Sequence, residues 1–334
     1  MDKYNTRCVR RRQLILAGIG IAGLAGRMKS SFAQAKPLWP SKPVTIVVPF
    51  PPGGANDNLA RLLSDKLAAR LGTPVIAENK GGAGGTIGTR FVTRSAPDGY
   101  TLLFCSVSIT TNPAVEKQPQ YDPVKDLQPI GAIATSPLAV VVSNELPVKT
   151  LAEFIDYAKS NPGTINYGSA GVGGMNHLAT ELLAYEAGVK LTHVPYKGIG
   201  GSFADLIGGR LQLLLPSIAS VVPYIRDGRL RGLAVTGRNR SDLLPDLPTV
   251  SEAGIPGFEL ESWYGLLGPA GMPSSIVQRL NTELNTVLNT PDVRKRLALE
   301  GATAIPNQPE ALGTLLTSEI DRWQALIKNS HLKL

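Results

Sequence analysis

Three segments combine glycine, short polar side chains and the start of a helical pattern, a combination suited to binding an anion. The first is Pro49-Phe50-Pro51-Pro52-Gly53-Gly54-Ala55-Asn56-Asp57. It follows the apolar run Val44–Val48 and leads into a stretch in which Leu59, Leu62, Leu63 and Leu67 recur at helical spacing. A strand that runs straight into a helix leaves unpaired backbone N–H groups at the junction, and these attract negative charge. Gly53 and Gly54 let the backbone approach a guest closely, while the prolines stiffen the loop. The plainer alternative is an ordinary turn in which Asn56 or Asp57 only caps the helix. The second segment, Gly168-Ser169-Ala170-Gly171-Val172-Gly173-Gly174-Met175-Asn176-His177, follows Ile165-Asn166-Tyr167 and repeats the construction. It adds a hydroxyl at Ser169, and His177 falls in the first helical turn. Two such junctions, one in each half of the chain, can face each other across a cleft and grip one acidic group; otherwise each serves its own turn. The third segment, Val194-Pro195-Tyr196-Lys197-Gly198, ends a strand with a phenol and an ammonium that either close over an anion or sit in a solvated loop.

Other chemistries fail on spacing. Gly81-Gly82-Ala83-Gly84-Gly85-Thr86-Ile87-Gly88 invites a dinucleotide reading, but a G-x-G-x-x-G from Gly82 meets Ile87, and one from Gly171 meets Asn176. No phosphate-binding P-loop is present, so these glycines serve tight turns and close helix packing. The histidines His177, His193 and His331 have no metal-ligand spacing. Tyr167 stands where a nucleophile elbow around Ser169 needs glycine, and Ala204 breaks a second such pattern at Ser202. Cys105, in the run Leu102-Leu103-Phe104-Cys105, reads as a buried structural thiol. Trp263 and Tyr264 either wall a pocket or pack at a domain junction, with packing preferred. Nothing here calls for a metal or a cofactor.

The elements that must carry these loops alternate short β-like runs with amphipathic helices, the pattern of parallel α/β architecture. Strands are expected at Val44–Val48, Val75–Glu78, Thr101–Cys105, Ile130–Ala134, Ala139–Ser143, Ile165–Tyr167, Thr192–Pro195, Leu213–Leu215 and Gly232–Thr236. Thr150-Leu151-Ala152-Glu153 is a capping box, Asn176 is placed to cap a helix that Gly188 stops, and the last helix carries Leu312, Leu316, Ile320 and Trp323. At 334 residues the chain is long enough for two domains.

The net charge of +8 misleads. Residues 1–35 hold seven Lys/Arg and one acid, a net six of those eight charges, leaving about +2 for the rest and no electrostatic case for nucleic acid. This leader reads as an export signal with paired arginines, an apolar run from Leu14 to Gly26, and the small-x-small site Ala33-Gln34-Ala35. Cleavage after Ala35 gives a periplasmic protein, whereas an uncleaved leader would be a membrane anchor. Cys8 leaves with the leader.

The blocks WPSKPVTIVVPFPPGG, GGAGGTIGT, PDGYTLL, NYGSAGVGGMNHLA, HVPYKG, DLIGGRL, LPTVSEAGIPGFE and WYGLLGPAGMP run in order from Trp39. Together they resemble the Bug family, the substrate-binding receptors of tripartite tricarboxylate transporters. The resemblance implies a type II-like, flytrap periplasmic binding fold of two α/β domains, each a mainly parallel sheet flanked by helices, with two crossovers. The first domain would be 36–137 plus 262–334 and the second 138–261. Ligand capture would use backbone amides, hydroxyls and waters rather than an arginine clamp. Carried over, Phe50, Pro51, Gly53, Gly54, Asn56 and Asp57 form the first clamp, and Ser169, Ala170, Gly171, Gly173 and Gly174 with His177 the second. Ser106 and Ser108 would face the cleft, Tyr196 and Lys197 would close over it, and Ser217 would contribute from a further loop. That loop departs from relatives, because Pro216 replaces an acid common near the cleft, so ligand identity is not inherited. The implied partners are a small organic acid and inner-membrane permease subunits, met by a monomer. The other readings are a hydrolase or transferase using Ser169 and His177, and a sensor feeding a signalling partner.

Overall fold

Residues 39–329, apart from Lys117 and Lys197, are described by a computed structural model. The leader, its cleavage site, Lys197 and His331 lie outside the described residues. The first sheet begins with β1 (Val44–Val48), α1 (Ala55–Leu71), β2 (Val75–Asn79), α2 (Thr86–Thr93), β3 (Thr101–Ser106), α3 (Ser108–Val115) and β4 (Leu127–Pro137). The chain then builds a second sheet from β5 (Ala139–Ser143), α4 (Leu151–Ser160), β6 (Asn166–Ser169), α5 (Met175–Ala187), β7 (Thr192–Pro195), α6 (Ser202–Ile207), β8 (Leu213–Leu214), α7 (Ile218–Arg226) and β9 (Leu230–Val235). It returns with β10 (Glu261–Pro269), α8 (Ser274–Leu288), α9 (Pro291–Leu299), β11 (Thr303–Ala304) and α10 (Pro309–Asn329).

The strand orders are β11-β4-β10-β3-β1-β2 and β7-β6-β8-β5-β9. Both sheets are mixed. Strands β2, β1 and β3 run parallel, and β10 enters antiparallel between β3 and β4. In the second sheet β7, β6 and β8 are parallel, while β5 pairs antiparallel with β8 and β9. The parallel strands of each sheet end at the same edge, which is where α/β sheets carry their ligand loops.

Apolar strands form here because both faces are covered. Val44, Ile46 and Val48 pack with Leu59, Leu63 and Leu67 of α1 and Leu280 and Leu284 of α8, whereas Val47 joins the opposite core with Val92, Leu312 and Trp323. Val44, Ile46, Val47 and Val48 are each at most 1% exposed, and such burial contributes about 1.5–3 kcal/mol per side chain. In β5 the alternation repeats: Ala139 and Val141 face α6 and α7, Val140 and Val142 face α4 and α5. One apolar cluster runs through both sheets, joining Leu103 and Ile109 to Val140, Tyr167 and Leu178.

Only the link at Leu138 and the segment 236–260 connect the sheets, and Thr236 ties them together. Its buried hydroxyl accepts from Leu138 N–H at 2.8 Å and donates to Leu260 O at 2.6 Å. Its own N–H donates to Leu138 O, and its carbonyl accepts from Leu260 N–H, both at 2.9 Å.

Two local expectations need correcting. The strand β10, central in the first sheet, was not expected from Glu261-Ser262-Trp263-Tyr264-Gly265, because two glycines and a bulge on β4 hide its alternation. Trp263 is buried in that strand against the α10 core, in keeping with the packing role preferred for it. Asn176 does not cap α5; Gly174 does, and the Asn176 side chain donates to Leu215 O at 2.6 Å.

Candidate binding site

The first loop is shaped from below by one carboxylate. Gly53 adopts φ +88° and donates its N–H to Asp57 Oδ2 at 2.9 Å. Asp57 also accepts from Arg61 Nε at 3.1 Å and Nη2 at 3.0 Å, and from Asn79 Nδ2 at 2.9 Å. The same Asn79 amide donates to Phe50 O at 3.1 Å, closing the loop on itself. The hydrogen bond from Arg61, and then that from Gly53, hold the Asp57 carboxyl down at about 2. Asp57 is therefore buried and fully committed, while Pro51, Pro52, Gly53, Gly54 and Ala55 are exposed. The first bond at the head of α1 is Asn58 N–H to Gly54 O at 3.0 Å. Among the described residues nothing accepts from the N–H groups of Ala55, Asn56 and Asp57, and a helix start of this kind is an anion site. Asn56 Oδ1 is buried and has no partner, so it awaits a donor from a guest or an ordered water.

The second loop has the same design with different chemistry. Ser169 is fully buried, its Oγ accepting from Gly171 N–H at 3.1 Å, reaching Gly171 O at 3.0 Å and lying 2.6 Å from His193 Nε2. Gly173 donates its N–H to His177 Nδ1 at 3.1 Å, which fixes the neutral tautomer with its proton on Nε2. Burial, and then the neighbouring His193, lower His177 to about 4. Burial also lowers His193. Gly174 N–H goes to Gly171 O and Leu178 N–H to Gly174 O. Among the described residues the N–H groups of Met175, Asn176 and His177 have no acceptor, so α5 opens as α1 does.

The helix α3 borders the second loop directly and the first by way of the Gly81–Gly88 run. Its Asn112 donates to Gly84 O at 2.8 Å, and the Gly85 position packs 3.5 Å from Phe50 Cζ. At its other end Val115 lies so near Gly173 that a Cβ there would sit 3.1 Å from it. At its start, Ser106 Oγ and Ser108 Oγ are 3.3 Å apart. The Gly81–Gly88 run serves this packing: a Cβ at Gly88 would stand 2.7 Å from Lys80 O and 2.9 Å from Pro49 Cα.

The side chains of Tyr196 and Ser217 have protein partners. Tyr196 donates its phenol to Asp205 Oδ2 at 2.5 Å, and Asp205 is paired with Arg210. Its backbone stays close to the site, since its N–H donates to Ser169 O and its carbonyl lies 3.9 Å from the Gly171 Cβ position. Ser217 caps α7 and donates to Ser220 Oγ at 3.0 Å. The presumed pairing of Ser169 with His177 is replaced by Ser169 with His193, a residue that sequence spacing did not single out. Cys105 is buried against Gly265 O at 3.4 Å, with its thiol pushed up by burial. No group of acidic, histidine or cysteine residues suited to a metal occurs among the described residues, and no helix there is long and apolar enough to cross a membrane.

This arrangement resembles proteins already known. Residues 59–332 match the family described as the tripartite tricarboxylate transporter family receptor. Protein BugT of Bordetella pertussis is 34% identical over 326 residues, covering 96% of this chain and 98% of its own. The structure of Rpa4515 from R. palustris with adipate is 36% identical with TM-score 0.77, covering 88% of this chain and 98% of that one. MatC from Rhodopseudomonas palustris with bound malate is 34% identical with TM-score 0.74, over 86% and 99% of the respective chains.

Proposed function

The chain belongs to the tripartite tricarboxylate transporter receptor family, and from that premise we propose that it is an exported receptor that captures a small carboxylate between two lobes. The observation that carries the proposal is the pair of uncapped helix starts. Among the described residues each of α1 and α5 offers three N–H groups without acceptors, and α3 lies against the second loop and against the Gly81–Gly88 run that packs on the first. Solved relatives hold adipate and malate, which supports a dicarboxylate-sized guest. In the two glycine loops the charged groups Asp57 and Arg61 neutralise each other, so a guest carboxylate would meet oriented dipoles rather than a cation.

The lobes of this reading are 36–137 plus 262–334 and 138–261, joined at Leu138 and through 236–260. Closure about these links would bring both helix starts onto one guest. The first-clamp contacts would come from the backbone at Gly54, Ala55 and Asn56, and the second from Ala170, Gly171 and the head of α5. The burial of Ser169 beneath its own loop supports binding without turnover. Receptors of this family act in the periplasm; the basic leader and the Ala33-Gln34-Ala35 site support export with cleavage after Ala35. The bound form of a monomer would then be offered to permease subunits in the inner membrane.

Thermal-shift screening of the mature protein against adipate, malate, other di- and tricarboxylates and monocarboxylates tests this. At least one carboxylate should raise the melting temperature by several degrees, and small-angle scattering should show a smaller radius with it. If no carboxylate stabilises the protein and its radius never changes, the proposal fails.

A further inference from the structure

His193, on β7, belongs to neither glycine loop, yet its ring packs against two others that do or that border one. Its centroid lies 3.9 Å from that of His177 and 4.9 Å from that of Tyr167, with interplanar angles of 18° and 21°. Tyr167 and His177 are 6.2 Å apart, so the three centroids form a triangle with His193 at its corner. From this position Nε2 reaches Ser169 Oγ at 2.6 Å. Ser169 in turn accepts from Gly171 N–H, and His177 accepts from Gly173 N–H. The second loop thus has two tethers, one at each alternate glycine, and His193 touches the side chain of both.

Those tethers are needed because the loop has little conformational preference of its own. Gly171 and Gly173 have φ of +135° and +75°, and glycine visits the positive and negative regions almost equally. Without a fixed acceptor for each N–H, the segment ahead of α5 would sample many shapes, some of which cover the helix start. We infer that His193 is a positioning residue for solute capture: by bonding Ser169 and stacking on His177, it holds Gly171 and Gly173 where the head of α5 stays open to a guest. The inference rests on the receptor reading for its functional consequence, although the tether itself is a property of the ligand-free protein.

The His177 half of the tether works only with a neutral ring, since its Nδ1 accepts from Gly173. Facing His193 are His177 from α5, and Tyr167 from β6, whose phenol donates to the Glu181 carboxylate; Tyr196 farther along donates to Asp205. Burial raises Glu181, and its carboxyl bonds the Tyr167 phenol rather than either imidazole. Acid would place two cations 3.9 Å apart and would protonate the His177 nitrogen that receives Gly173. The first loop has no such weakness, because Asp57 stays ionised to about pH 2. Acid should therefore loosen the second loop while the first still holds.

Two substitutions separate the bond from the stack. His193→Phe keeps a ring in the stack and removes Nε2, whereas His193→Gln keeps a neutral polar atom within reach of Ser169. Hydrogen exchange on ligand-free protein should show the Gly171 and Gly173 amides at least about tenfold faster in H193F, with β1 and the first loop unchanged, and near wild type in H193Q. Ser169→Ala should give the same acceleration, and the H193F/S169A double variant no more. Binding of adipate or malate, whichever the wild type takes, should weaken at least about tenfold in H193F and by no more than about threefold in H193Q. The wild-type affinity should fall on acidification from pH 6 toward 4, and H193Q should show a shallower fall. Unchanged exchange in H193F and S169A overturns the inference, as does H193F binding as tightly as the wild type. If exchange responds as expected while the wild type binds no carboxylate, the receptor reading fails and the positioning role in the loop stands. Should H193F not fold, the S169A exchange result and the H193Q pH profile decide.

Discussion

Replacing Asp57 should disorder the first loop and cost stability in a pH-dependent way. This carboxylate gathers Gly53 N–H, Arg61 and Asn79 around one point. Holding it at about 2 instead of the ordinary 3.8 corresponds to roughly 2 kcal/mol, since each pKa step is worth about 1.4 kcal/mol. Arg61 is half exposed, so solvent screening trims the usable part to about 1 kcal/mol. The sign follows from a depressed acid: the contribution is complete above about pH 4 and disappears as the pH falls through 2. Asp57→Asn should therefore lower the urea unfolding free energy by about 1 kcal/mol at pH 7, with the difference shrinking toward zero near pH 2. Asp57→Ala should cost about 1–2 kcal/mol, because it also removes the acceptor of the part-buried bonds from Gly53 and Asn79. Both variants should weaken carboxylate binding, since Gly53 loses its anchor. Equal unfolding free energies for wild type and D57N at pH 7 and pH 3 would refute the reasoning, as would a D57A variant with undiminished affinity.

Other outcomes follow from the same structure. Because His177 is lowered to about 4 from the usual imidazole range, its contribution is complete above about pH 6.5 and lost as the pH falls toward 4. Wild-type unfolding free energy should drop on the order of 2 kcal/mol over that window, and His177→Gln should flatten the profile. Thr236→Val strands Leu138 N–H and Leu260 O between the lobes, so it should destabilise by about 2–4 kcal/mol and alter the ligand-induced change in scattering radius, with Thr236→Ser close to wild type. Gly88→Ala drives a methyl into the backbone of Lys80 and Pro49 and should cost about 1–3 kcal/mol by thermal unfolding.

Much of this was legible in the sequence because burial on both faces makes a strand read as an unbroken apolar run. Val44–Val48 and Ala139–Ser143 fall on the expected residues for that reason. Thr150 caps α4 as the capping box requires, its side chain accepting from Glu153 N–H at 3.2 Å. The strand β10 escaped because its glycines and the irregular register with β4 break the pattern, and its place between β3 and β4 is decided by contacts more than a hundred residues away. The two glycine junctions were visible as loops. What could not be read was which side chains face the guest and which build the floor. Asp57, Ser169 and His177 have the chemistry of ligand contacts, yet each spends it on a glycine N–H of its own loop. The role of His193 depends on β6 and β7 pairing so that Tyr167 lies beside His193, a register that no local signal in either strand specifies.

The central claim is that one carboxylate is held by the heads of α1 and α5 together, and amide NMR reads this directly. Titration of labelled mature protein with the carboxylate that most raises its melting temperature should move the amide signals of Ala55, Asn56, Met175 and Asn176 along one saturation curve. Signals that move at only one helix head, or at a surface remote from both, would contradict it.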